Sequence, residues 1–257
     1  MRHVFRYLVR TVPGPGETLA LSDADTHHLV KVVRRRAGDG VELIDPEGQL
    51  WPATVVDAGP PARVRVAAAA ELGPPAAPVV LYQGLAEWGR VDMLVEKAAE
   101  LGVSEVVLFA SERARRVPAP DAWRRRRERL GRVVEAAARQ AGRGNLTRVR
   151  GLLALDAVLA EIPQGTGFLL DARGERSLSA ALAGTTARPG AVRVVVGPDT
   201  GFAENEVRAA REAGLAVCRL GAGTLRAETA ALVALSLALQ AAGALGDGDR
   251  AGGAAGG

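Results

Sequence analysis

The stretch Leu220-Gly221-Ala222-Gly223-Thr224-Leu225-Arg226-Ala227-Glu228-Thr229-Ala230-Ala231 follows the apolar run Leu215-Ala216-Val217-Cys218 and leads into a nearly all-apolar segment from Ala230 to Ala242. The run reads as a buried strand and the segment as a helix. The stretch itself carries two glycines, a cation, an anion and two threonines, at a strand's carboxyl end. In α/β sheets that is where ligands bind, because loop backbone and helix amides converge there. A glycine-rich turn capped by Glu228 and Thr229 fits the same residues. Alone, the stretch leaves both readings open.

Working outward, the same alternation repeats. Val79 to Gln83, Val106 to Phe109, Phe168 to Leu170 and Val192 to Val196 are short apolar runs. Val91 to Leu101 and a long segment from about Asp121 to Gly142 are helical in period between them. Alternating β and α predicts a mostly parallel sheet covered on both faces. Gly197-Pro198-Asp199-Thr200-Gly201-Phe202 follows one of these strands, and Glu204 and Glu206 open the next helix. Such a loop presents backbone amides at close range. No GxGxxG joins a strand to a helix, which disfavours a Rossmann dinucleotide enzyme.

The N-terminal part has a different texture. His3 to Arg10 alternates, with His3, Phe5, Tyr7 and Val9 on one face and Arg6 and Arg10 on the other, as in a half-buried strand. Ser22 opens a helix with Asp25 three residues on, and Leu29, Val32 and Val33 form its apolar stripe. Lys31, Arg34 and Arg35 fall together on the other side, extended by Arg36. They read either as a solvated face or, lacking any interleaved acid, as a phosphate contact. Val41 to Ile44, Trp51 to Val56 and Ala62 to Val66 are strands of a small β-barrel, separated by turns at Asp45-Pro46-Glu47-Gly48 and Gly59-Pro60-Pro61. Gly73-Pro74-Pro75-Ala76-Ala77-Pro78 is a stiff connector. The expected domains are 1–73, then a linker over 74–78, then 79–245, with 246–257 a disordered tail of glycine, alanine and aspartate.

Composition sets the outer limits. A chain of 257 residues, 48% of them apolar, can build one large or two modest cores. The cations are nearly all arginine, with Lys31 and Lys97 the exceptions, a usage that coding bias also produces. The net charge of +4 suits a polyanionic partner without demanding one. A single cysteine, Cys218, can form no internal disulfide, and neither a leader nor a long apolar span is evident, so the expectation is a cytoplasmic protein with no membrane partner. His3, His27, His28 and Cys218 lack ligand spacing, and no metal is expected.

The ordered set HHLVKVVRRRAGDGVELID, VEKAAELGV, SERARR, EAAARQAGR, GPDTGFAENE and LGAGTLRAETAAL resembles the RsmE family over nearly the whole chain. That family comprises SPOUT-class methyltransferases acting on uridine N3 of small-subunit (16S) ribosomal RNA. The resemblance implies an N-terminal PUA-like β-barrel, a C-terminal α/β domain tied in a trefoil knot, S-adenosylmethionine as cofactor, and a homodimer acting on the 30S subunit. It maps the cofactor to the loops carrying Leu170, then Gly197, Pro198 and Gly201, then Leu220, Gly221, Thr224, Leu225 and Thr229. Arg113, Gln140, Arg143 and Arg226 become candidate donors to the uracil oxygens, and Glu112 and Glu228 candidate proton acceptors. Glu228 serves equally well to hold an arginine. Arg6, Arg10, Lys31, Arg34, Arg35 and Arg36 would hold phosphates. The chain departs from the family pattern at Asp199 and Thr200, where Glu-Gly is usual, and at Ala222-Gly223-Thr224, where Pro-Arg-Ile/Val is usual. A knotted methyltransferase for another nucleotide, or a non-catalytic RNA-binding protein on the same fold, remain alternatives.

Overall fold

The computed structural model describes residues 5–45, 49–69, 77–113, 117–141, 143, 146–183 and 190–245. His3, much of the Asp45–Gly48 turn, most of the Gly73–Pro78 connector, the end of SERARR, Gly142 and the segment 246–257 lie outside the described residues. The chain divides into two units: positions up to 74 with 138–146, and positions 75–137 with 147–249.

In the first unit, β1 (Arg6–Leu8), β2 (Thr18–Ala20), β3 (Gly40–Ile44), β4 (Leu50–Asp57) and β5 (Arg63–Val66) form one sheet in the order β1-β3-β4-β5-β2. The β1–β3 pairing is parallel and the others antiparallel. Alternate residues, Tyr7, Val41, Leu43, Ala53, Val55, Val64 and Val66, turn inward onto one core with Leu21 and Leu29. The short helix α1 (Asp23–His27) starts where the sequence marks it. Ser22 Oγ accepts from the Asp25 N–H at 3.2 Å and donates to its carboxylate at 2.6 Å. The apolar stripe beyond it differs from expectation, since Val32 is 62% exposed. From His28 to Val32 the chain widens into a π-type turn, closed by Val33 N–H to His28 O at 2.9 Å. Extra residues per turn rotate Val32 outward, and Val30 packs on the core in its place.

In the second unit, β6 (Val79–Gly84), β7 (Glu105–Ala110), β8 (Arg148–Ala154), β9 (Gly167–Leu170), β10 (Arg176–Ser177), β11 (Val192–Val196) and β12 (Ala216–Arg219) form a seven-stranded sheet, order β10-β12-β9-β11-β6-β7-β8. Every pairing in it is parallel. Helices α2 (Trp88–Leu101), α3 (Pro120–Ala141), α4 (Leu155–Glu161), α5 (Leu178–Ala183), α6 (Glu204–Glu212) and α7 (Ala227–Ala241) connect the strands. The strands are apolar throughout because both faces are buried. Leu81, Val106, Leu108, Phe168, Val194 and Val196 pack beneath α2, α3, α5 and α7. Tyr82, Val107, Phe109, Leu169 and Val195 pack beneath α4 and α6 on the opposite face.

On α2 two acids, Glu96 and Glu100, stand one turn apart. Lys97 reaches both carboxylates, at 2.8 and 2.7 Å. No helix among the described residues is long and apolar enough to cross a membrane.

Burial, then the nearby Glu161 carboxylate, push the Tyr82 phenol up to about 12. Burial, then Asp25, do the same for Tyr7, also to about 12. The folded state therefore favours the neutral phenols. Their contribution is complete below the unfolded phenol value of about 10 and is lost as pH rises through about 12. Denaturant titrations across that window should show stability falling, with a shallower fall in Tyr82→Phe and in Tyr7→Phe.

Candidate functional site

Because β12, β9 and β11 are adjacent and parallel, the loops that leave their carboxyl ends emerge on one edge of the sheet. These loops begin at Asp171, Gly197 and Leu220. Their backbones approach closely at two points where only glycine fits. A Cβ at Gly84, which ends β6, would lie 2.5 Å from Pro198 N. One at Gly174 would lie 2.5 Å from the Cys218 carbonyl carbon.

Arginines then tie the loops to one another. Arg173 clasps Asp171 at 2.6 and 2.7 Å and donates to Phe202 O at 3.0 Å, joining the β9 loop to the β11 loop. Burial alone would raise the Asp171 pKa, but hydrogen bonds and charge from Arg173 outweigh it and leave the carboxyl below its usual value. Arg219 Nη1 donates to Gly174 O and Glu175 O, joining β12 to the β9 loop. Arg90, near the start of α2, lies 2.8 Å from Asp199 and 3.5 Å from Glu228.

The loop after β7 is held to the same edge. Glu206, 7% exposed, accepts from the Glu112 N–H at 2.7 Å and from the Ala203 N–H at 2.8 Å. Glu112 itself accepts from Asn205 at 2.8 Å. Thr200 Oγ donates to Arg113 O at 2.9 Å, and Arg113 Nη1 lies 3.5 Å from Thr200 O. Thr200, where the resemblance leads one to expect glycine, thus contributes a tie between loops. The positive φ of the turn falls on Gly201, at +67°, with Gly201 N–H donating to Pro198 O at 2.8 Å.

Of the residues singled out from sequence, the structure brings Leu170, Gly197, Pro198, Gly201, Leu220, Gly221, Thr224 and Leu225 to this edge by their places on β9, β11, β12 and the loops after them. Leu170, Gly197 and Pro198 are buried; Gly221 to Arg226 and Thr229 are exposed, Leu225 at 43%. The cap expected from Glu228 and Thr229 is not formed. Arg226 occupies the N-cap position of α7 without a side-chain hydrogen bond, and Glu228 lies in the first turn, where its charge suits the helix dipole. The cation beside Glu228 is Arg90. Gln140 is exposed in the last turn of α3 and Arg143 is half-buried just beyond; both fall in the segment 138–146 that groups with the first unit. Burial lowers the pKa of Arg143.

In the first unit, Arg6 pairs with Glu42 at 2.7 Å, and Arg35 turns aside to sit over the Phe5 ring at 5.2 Å. Arg10, Lys31, Arg34 and Arg36 are exposed. Arg34, at φ +56°, leaves the π-type turn in a left-handed conformation. The four-cation cluster expected from spacing is therefore reduced to Lys31, Arg34 and Arg36.

Sequence reading missed Gln83, Arg90, Arg173 and Arg219. Only Gln83 carried a signal, as the lone amide closing an apolar strand. It is 1% exposed and donates to Gly84 O and Gly197 O, leaving Oε1 with no hydrogen-bond partner among the described residues. Ser111 Oγ and Glu228 Oε2 are likewise buried without a hydrogen bond. Buried acceptors of this kind, exposed leucine, and open space around the would-be Cβ atoms of Gly221 and Gly223 suit a ligand with an apolar ring and cationic or N–H donor groups. Among the described residues no His, Cys, Asp or Glu group could hold a metal ion.

Each of the two units, the parallel α/β one with its polar loop site and the mostly antiparallel β one, matches a family model of RNA methyltransferases. Residues 74–239 match the family model described as RNA methyltransferase domain, and residues 21–62 that of the RNA methyltransferase PUA domain. The chain belongs to the ribosomal RNA small subunit methyltransferase E family. It is 32% identical over 238 residues to the Mycobacterium bovis protein of that name, covering 89% of this chain and 88% of that one. It is 27% identical to the Synechocystis protein of the same name, covering 85% and 72%. The Neisseria gonorrhoeae ribosomal RNA small subunit methyltransferase E, solved bound to S-adenosylmethionine, superposes with a TM-score of 0.77 at 26% identity over 93% of this chain and 98% of that one.

The two glycine environments predict opposite outcomes. Gly84→Ala forces a Cβ into Pro198 and should cost about 1–3 kcal/mol, read as a melting point lower by several degrees. Gly223→Ala enters open space and should leave stability within about 0.5 kcal/mol.

Proposed function

We propose that this protein transfers a methyl group from S-adenosylmethionine to N3 of a uridine in 16S ribosomal RNA, acting in the cytoplasm as a homodimer on the 30S subunit. The observation that carries the reading is the convergence of the β9, β11 and β12 loops on one edge, with buried acceptors beside them, in a chain of this family. The single buried cysteine suits a reducing compartment. Exposed Leu225 and Val233, on the closing loop and α7, support a covered dimer face.

When bound, S-adenosylmethionine supplies an electrophilic methyl on a sulfonium. The backbone of Gly197, Pro198, Gly201, Leu220, Gly221 and Thr224 would hold it, with Leu170, Leu225 and Thr229 enclosing it. The protein's part in the reaction is position and charge. Uridine N3 must lose its imide proton, and negative charge then spreads onto the flanking carbonyl oxygens. Glu228, whose buried Oε2 makes no hydrogen bond but faces Arg90, and Glu112, which accepts from Asn205, are the two candidate proton acceptors. Arg226, Arg113, Gln140 and Arg143 are the donors assigned to the uracil oxygens. The uridine must leave its stack to reach them.

RNA would be held by phosphate contacts from the first unit, through Arg6, Arg10, Lys31, Arg34, Arg35 and Arg36, of which Lys31, Arg34 and Arg36 are the most available. The division into an RNA-holding domain over 1–73, a linker over 74–78 and a catalytic domain over 79–245 belongs to the same proposal, as does the trefoil knot.

Calorimetry should detect S-adenosylmethionine binding, and nucleoside mass spectrometry should find 3-methyluridine in 30S subunits treated with the protein. Absence of both would overturn the reading, and a different modified nucleoside would overturn its uridine assignment. Replacing Lys31, Arg34 and Arg36 together by alanine should reduce the slope of log K against log salt by about 2–3. An unchanged slope would remove the first unit from phosphate binding.

A further inference from the structure

We propose that Arg90 is a positioning residue that sets the gap between the two cofactor loops before any ligand arrives. The inference rests on the cofactor reading above and goes beyond it, because Arg90 lies on neither loop and is not among the residues assigned to cofactor or substrate. Asp199 stands at the tip of the loop after β11, and Glu228 in the first turn of α7, directly after the closing loop Leu220–Arg226. Nη1 of Arg90 reaches both, at 2.8 and 3.5 Å. It thus bridges an acid on each side of the gap from a third element, α2.

The surroundings make this contact more than a surface ion pair. The Glu228 side chain is only 12% exposed and its Oε2 has no hydrogen bond. A buried carboxylate is costly without a nearby cation, and Arg90 is the cation the structure provides there. Glu87, one turn earlier, lies 3.9 Å from Arg90 Nε on the solvent side, so the guanidinium is held from behind as well. The rest of α2 cannot follow a movement of the loops. Val91, Leu94, Val95, Ala98 and Ala99 are buried in the core beneath it. Arg90 is therefore anchored to the rigid part of the unit, while its two partners belong to the segments that must enclose a ligand.

The geometry gives Arg90 a second consequence. Arg90 meets Glu228 Oε2 at 3.5 Å, too long for a strong hydrogen bond, so that buried oxygen has a cation beside it and keeps its hydrogen-bonding capacity. Arg90 holds that oxygen in place without hydrogen-bonding it.

The test compares Arg90→Ala and Arg90→Lys with the full-length protein. Arg129→Ala, which breaks the exposed pair with Asp92 on the flank of α2, is the control for loss of an ion pair elsewhere. Hydrogen exchange on the ligand-free protein reads the clamp directly, and calorimetric titration with S-adenosylmethionine reads its use. Arg90→Ala should speed amide exchange in 197–202 and in 221–228 together, and weaken S-adenosylmethionine binding about ten- to a hundredfold, which corresponds to roughly 1.4–2.8 kcal/mol. Arg90→Lys should fall between, because a point charge replaces the planar fork. Arg129→Ala should match the wild type in both readouts. Exchange unchanged in either segment, or an unchanged affinity, would overturn the proposal. A wild-type protein that binds no S-adenosylmethionine overturns the cofactor reading instead, and the exchange data still decide whether Arg90 holds the loops.

Discussion

The parallel pairing of β9 between β11 and β12 is the constraint from which the site follows. Parallel strands carry their chain direction with them, so three loops distant in sequence must leave the sheet on the same edge. Nothing in the loops themselves needs to specify that meeting. What they must supply is tolerance for close approach, and Gly84 and Gly174 supply it where a side chain would collide with backbone. The apolar runs that build the strands thus determine where chemistry happens, and the glycines determine how tightly the loops close over it.

That division explains what the sequence made legible. Runs such as Val79-Val80-Leu81-Tyr82 and Val194-Val195-Val196 announce buried parallel strands, because both faces need apolar side chains and little else satisfies that. β8 and β10 gave no such signal. β8 carries Arg148 and Arg150 at its start on the sheet's edge, with Arg150 paired to Glu105 and Glu161, and β10 is two residues long. Val32 was misread for a different reason. A 3.6-residue period assumes an α-helix, and the π-type turn after His27 changes the phase of every later residue. Within the site, residues defined by backbone direction were legible and those defined by long-range ion pairs were not. Arg90 and Asp199 are 109 positions apart, and no local pattern couples them.

The two departures from the family pattern take on different meanings once their surroundings are seen. Thr200 adds a side chain, and that side chain is used: its hydroxyl fastens the β11 loop to Arg113 O. Asp199 shortens the usual glutamate by one methylene, and Arg90 is long enough to meet it at 2.8 Å. Gly223 has no compensation of this sort, and open space surrounds it. The loop after β12 is therefore tied at its ends, through Arg219 and through Glu228, and a Cβ at Gly221 or Gly223 would meet nothing.

Arginine usage, ambiguous as a matter of composition, acquires a physical role at this site. Arg90, Arg173 and Arg219 each join two acceptors that differ in chain segment or in residue. In each case one terminal nitrogen contacts both acceptors, Nη1 in Arg90 and Arg219 and Nη2 in Arg173, at the end of a long side chain. Coding bias enriches a chain in arginine, but it does not choose which arginines face two acceptors at once. The ties also differ in exposure to their task. Arg173 and Arg219 fasten loops to neighbours within the β9–β12 region, whereas Arg90 spans the acids on the β11 loop and on α7. The three ties are therefore not equivalent: two act within one region of the sheet edge, and the third links the β11 loop to α7 from α2.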